Sequence, residues 1–167
     1  MATKESDGQN LRDERSIKWQ LATDLAEMDD RDAGFPRAAA KIKDVIHYTL
    51  TFDDPEYTDG VMRALNSFLG QGYQLVEVRN LWRRHHGGRG RLGVRAVLRQ
   101  PAPKDQVFTV YLESEESNWA VAADTAIYEQ LRGVTTARRR KVLQAESARI
   151  YGLVDVPPGA MDIREFP

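Results

Sequence analysis

Three runs follow one another at 73–82, 91–99 and 107–113, each mixing apolar with polar residues, and a fourth stands at 45–52. All four are rich in β-branched or aromatic residues and read as strands. A helix over 57–69 separates the first run from the second. Asp53-Asp54-Pro55 caps it and Gly70-Gln71-Gly72 closes it. A strand–helix–strand unit that feeds two further strands leaves few ways to fold. The flanks are helical. Leu11, Ile17, Leu21, Leu25 and Met28 recur at helical spacings, and 35–42 carries Pro36 at the first turn of a short second helix. A helix over 118–132 has Ala120, Ala123, Ile127 and Leu131 on one face, and another over 136–151 precedes the turn at Pro157-Pro158-Gly159. The expected fold is α/β (α+β), a mixed sheet of four to five strands covered by helices.

Bulk properties narrow the function classes. The 167 residues fit one domain, and the hydrophobic content of 41% can build its core. Residues 1–9 are polar and expected to be disordered, leaving 10–167 as a single domain. The net charge of −1 provides no global attraction to nucleic acid or an anionic membrane. The absence of cysteine excludes disulfides, thiolate metal sites and a cysteine nucleophile. No apolar run reaches the roughly 18 residues that span a bilayer. The polar start, MATKESDGQNLRDER, does not read as a signal peptide. The expectation is a cytoplasmic protein without a membrane partner.

Alternation along each strand separates two faces. Phe108, Val110 and Leu112 oppose Thr109, Tyr111 and Glu113; Leu92, Val94, Ala96 and Leu98 oppose Arg91, Gly93, Arg95 and Val97. Ile46, Tyr48, Leu50 and Phe52 oppose Val45, His47, Thr49 and Thr51, while Glu77 and Arg79 oppose Val76 and Val78. One face of the sheet therefore carries arginines, carboxylates, a tyrosine and a histidine. That composition suits a binding cleft and also an uncovered sheet face.

Read in order, KDVIHYTLTFDDPEYTDGVMRAL, GYQLVEVRNLW, RLGVRAVLRQP, QVFTVYLES, ESNWAVAADTAIYEQLR and VDVPPGAMDI resemble the synthetase domain of the RelA/SpoT family. Those enzymes move pyrophosphate from ATP to the 3′-hydroxyl of a nucleotide, and the resemblance implies a nucleotidyltransferase-like fold over nearly the whole chain. Family members of the short type carry Asp-x-x-Arg-Tyr-Thr, Tyr-x-Gly-(Ile/Val)-Asn and Phe-Glu-Val-Gln motifs. Their aspartate and glutamate hold the magnesium that bridges the ATP phosphates, and their arginines and lysines neutralise the phosphates. Asp44 keeps the aspartate place and Tyr48-Thr49 follow, with His47 where the arginine belongs. Gly93-Val94 match, while Arg91 replaces the base-stacking tyrosine and Arg95 the asparagine. Phe108 and Val110 match, while Thr109 replaces the glutamate and Tyr111 the glutamine. Ser16-Ile17 and Leu21–Leu25 resemble the family's first helix, with Gln20 in the place of a phosphate-contacting lysine. Arg79-Asn80 and Trp82 agree with the Lys/Arg-Asn-x-Trp strand.

The matches shape the sheet, and the departures cluster on its polar face. The sequence therefore predicts a repurposed or non-catalytic cleft that binds an anionic or aromatic-bearing ligand. Arg79, Trp82, Arg91, Gly93 and Arg95 are the expected binding residues, with His47 and Tyr111 beside them. Arginine replacements favour carboxylate or phosphate partners; alternatively, the three arginines pair internally with Asp44, Glu77 and Glu113 and close the cleft. A second reading is an active nucleotide 3′-pyrophosphokinase, with magnesium on Asp44 and, in a shifted site, Glu113. Asp44, His47, Tyr111 and Glu113 are the acid–base candidates of either enzyme. A third reading is an RNA- or protein-interaction module using 83–91, which holds four arginines and two histidines among glycines. Arg138-Arg139-Arg140-Lys141 reads as a solvated helix face, and 113–116 as a helix cap. No base neighbours Ser114 or Ser117 to support a hydrolase.

Overall fold

The computed structural model describes residues 17–18, 21–22, 45–84 and 90–166. The expected helices over 11–28 and 35–42 lie largely outside this range, as do Asp44, Gln20 and residues 85–89. Ile17, Lys18, Leu21 and Ala22 are described and are helical.

Strand β1 (His47–Phe52) leads through a short 3-10 turn, Asp54–Glu56, into helix α1 (Tyr57–Gly70). Strands β2 (Gln74–Asn80), β3 (Val94–Arg99) and β4 (Val107–Ser114) follow. Helices α2 (Glu115–Gly133) and α3 (Ala137–Tyr151) complete the order. The described residues form one four-stranded sheet of order β1-β4-β3-β2, the mixed sheet expected. β3 pairs antiparallel with β2 and with β4, as short connections allow. β4 then runs parallel to β1, which α1 has carried away from β2 by crossing the whole sheet. Chain order alone does not reveal that β1 and β2 end at opposite edges.

The crossing helix shapes the core. Tyr57, Val61 and Leu65 fall on one stripe of α1, and all three are buried. They cover Val94, Ala96 and Leu98 of β3 and Phe108, Val110 and Leu112 of β4, the strand faces expected to be apolar. The Tyr57 hydroxyl donates to the Leu112 carbonyl at 2.8 Å, satisfying a polar group the core would otherwise strand. Trp82 stands edge-on to the Tyr57 ring, with centroids 5.5 Å apart.

Ser114 ends β4 and starts α2. Its hydroxyl accepts from the Ser117 N–H while the Ser117 hydroxyl accepts from the Ser114 N–H, a reciprocal cap. Helix α2 buries Ser117, Ala120 and Asp124, whereas Ala123, expected on that face, is exposed. Helix α3 packs on α2 and buries Leu143, Ser147 and Tyr151, and Tyr151 joins Ala120 of α2 in the hydrophobic core. The basic run at the start of α3 is exposed, in agreement with the sequence.

Candidate functional site

The polar face of the sheet is assembled by register. Arg79 lies opposite Arg95, Arg95 opposite Tyr111, and Tyr111 opposite Thr49, so one row crosses all four strands. Beside it Glu77, Val97, Thr109 and His47 form a second row. A bulge between Leu75 and Glu77 sets the first of these registers, and Val76 is its extra residue. Glu113 and Thr51 stand in a third row, at the end of β4 from which α2 departs.

Arg91 joins the rows. Its Nε lies 2.7 Å from Glu113 Oε1, its Nη2 donates to Thr49 Oγ1 at 3.4 Å, and its guanidinium sits 4.0 Å above the Tyr111 ring. The Tyr111 ring also meets His47 edge-on at 6.1 Å. At the far edge Glu77 accepts from Arg79 Nε at 3.0 Å and from Arg95 Nη2.

The arginines are thus held by internal carboxylates, Arg79 and Arg95 by Glu77 and Arg91 by Glu113, the pairing expected as the alternative to an open binding face. Among the described residues, three guanidinium groups pair with two carboxylates, Glu77 and Glu113. The carboxylates lie beneath, at 9% and 1% side-chain exposure, and the arginines above, at 47%, 30% and 26% for Arg79, Arg95 and Arg91. Pairing from below fixes each guanidinium while leaving part of it toward solvent.

Burial pushes the Glu113 carboxyl up to about 7, and the adjacent Arg91 charge only partly offsets it. Desolvation also raises the Tyr57 and Tyr151 hydroxyls, with the negative charge of Glu113 adding to both and that of Asp124 to Tyr151.

Several expected site residues have other work. Trp82 is fully buried in the core against Tyr57 and faces no cleft. Gly93 is explained by packing: its φ is +131°, and a Cβ there would sit 2.5 Å from the Leu112 carbonyl oxygen. Thr109, in the place of the family glutamate, is fully buried. Glu113 is held by Arg91 and shielded from solvent, so it is unsuited to replace that glutamate on a hydrated ion. No cluster of metal-ligating side chains exists among the described residues, and Asp44, the residue expected to hold magnesium, lies outside them. The 83–91 segment has no described geometry at 85–89 on which an RNA or protein contact could be argued. Sequence reasoning gave Asn80 only a motif match. Its side chain donates to the carbonyls of Ala160 and Ile163 and accepts from the Trp82 N–H, anchoring the C-terminal segment to β2.

No family model and no curated protein matches the sequence. Solved structures do. A GTP pyrophosphokinase family protein from Streptococcus pneumoniae superposes with a TM-score of 0.57 over 85% of this chain and 67% of its own, at 14% identity. The small alarmone synthetase 1 from Bacillus subtilis, in a structure bound to its product pppGpp, gives 0.56 over 86% and 71%, at 13% identity. The chain has the fold of the small alarmone synthetases. The protein smu.1046c from Streptococcus mutans UA159 shares the same architecture, with a TM-score of 0.56 at 11% identity. The RelA/SpoT-like sheet read from the sequence is therefore the sheet observed. No helix among the described residues is long and apolar enough to cross a membrane.

Proposed function

We propose that this RelA/SpoT-like chain binds a phosphate-bearing ligand of the nucleotide class on the face of Arg79, Arg91, Arg95 and Tyr111, and does not transfer pyrophosphate. The observation that carries the reading is Arg91, a planar cation laid on the Tyr111 ring, tied to Glu113 and Thr49, and still a quarter exposed. A guanidinium fixed in this way offers donors to phosphate oxygens without first losing side-chain freedom. Three partly exposed guanidinium groups on one face favour an anion. The small alarmone synthetase of similar fold binds pppGpp, which makes guanosine polyphosphates the first ligands to try. Against transfer stand the buried Thr109 and the Arg91-bound Glu113, which leave the phosphates' metal without its usual second carboxylate.

Calorimetric titration with pppGpp and with GDP tests binding. Arg95→Ala should weaken it by about tenfold, as for a charge-assisted contact, and Arg140→Ala should leave it unchanged. Equal affinity of wild type and Arg95→Ala would remove the arginine face as the site. The shared fold favours a second reading, an active 3′-pyrophosphokinase. Incubation with ATP, GTP and magnesium should yield no pyrophosphorylated nucleotide; turnover at about 1 per second or above, abolished by Asp44→Asn, would establish that second reading instead.

A further inference from the structure

The opposite, apolar face of the sheet holds a cavity of about 300 Å3 between the end of α1 and the edge strand β1. Four of its described lining residues are aromatic. Phe108 meets Tyr48 edge-on at 5.7 Å and Tyr73 at 5.9 Å, and Tyr73 meets Phe68 at 5.6 Å. None of the described residues lining it is charged. Two amides, Gln100 and Gln106, also line it, and Gln100 Oε1 is buried with no hydrogen-bond partner among the described residues. A buried amide oxygen without a donor is costly and calls for a partner that the described residues do not supply. Tyr48 remains 41% exposed although it points to the apolar side, as a ring at the mouth of a site would.

Size and chemistry together define an occupant. An apolar cavity of about 150 Å3 takes up benzene, so a space twice as large suits two fused rings. Edge-to-face walls favour a planar π-system, and uncharged walls exclude an ion. We infer that this cavity binds a neutral, planar, bicyclic aromatic molecule carrying one N–H or O–H donor, its rings among Tyr48, Tyr73 and Phe108 and its donor on Gln100 Oε1. The site is separate from the arginine face and does not rest on the function proposed for it.

Nuclear magnetic resonance titration of the full chain with indole, and with naphthalene as a donor-free comparator, tests the assignment. Indole should give saturable shifts at the backbone amides of Tyr48, Gln100 and Phe108. Gln100→Leu should weaken indole by about fivefold and leave naphthalene nearly unchanged, since only indole loses a hydrogen bond. Ile46→Trp, which fills the cavity from its edge, should block both, while Arg95→Ala should affect neither. Absence of saturable shifts, shifts confined elsewhere, or indifference of indole to Gln100→Leu would overturn the inference.

Discussion

Glu113 is almost wholly buried, yet it influences groups from three directions: Arg91 from the loop before β3, Tyr57 from α1, and Tyr151 from α3, where Asp124 of α2 adds a second negative charge. Its folded pKa of about 7 lies above the ordinary value of 4.5, so between those values the native chain binds more protons than the unfolded one. The stability this contributes is full below the lower value and is lost as pH rises through the upper. Urea unfolding at about pH 5 and about pH 8 should therefore show wild type losing stability across the window, and Glu113→Gln losing less. Equal losses in the two proteins would exclude Glu113 as the source. Gly93 offers a sharper test at the same scale. Gly93→Ala combines a left-handed φ with a clash against the β4 backbone, and should cost at least about 2 kcal/mol by thermal or chemical unfolding. An unchanged midpoint would contradict the close approach.

At the level of elements, β4 was the most legible. Phe108, Val110 and Leu112 alternate with Thr109, Tyr111 and Glu113, and the two faces fall where alternation puts them. Val110→Asp would bury an unpaired charge at the centre of the sheet and should destabilise by several kcal/mol, about 4, read from the urea midpoint. The C-terminal segment was far less legible. Val78 exchanges backbone hydrogen bonds with Phe166, and Asn80 reaches residues eighty or more positions away. No local pattern encodes contacts of that separation. Asn80→Ala should cost about 3 kcal/mol, because it strands buried carbonyls of the tail and the Trp82 N–H at once. Tail amides should then exchange faster than those of β4; uniform protection would show the anchor to be dispensable.

For the whole molecule, the arrangement of charge matters more than its total. A chain of net charge −1 still places three arginines in one patch, because β2, β3 and the loop before β3 converge there. If the patch holds a phosphate-bearing ligand, affinity should fall as salt rises from about 0.05 M to about 0.5 M, with the loss smaller in Arg79→Ala than in wild type. Affinity independent of salt would point to a contact other than charge.

The sequence by itself determined the four strands, the helix between β1 and β2, and the apolar faces of β3 and β4, because alternation and helical spacing are local properties that each strand or helix carries with it. It also marked the polar face and the departures at Arg91, Arg95 and Thr109. Only the tertiary structure decided what those residues do. Strand order brought Glu77 under two arginines and set Arg91 between Glu113 and Tyr111, turning three cations separated in sequence into a braced surface. It also sent Trp82 to the core and made Gly93 a packing requirement. Side-chain partners across a sheet depend on which strands become neighbours and in what register. Long-range chain crossing settles both, and no single segment records it.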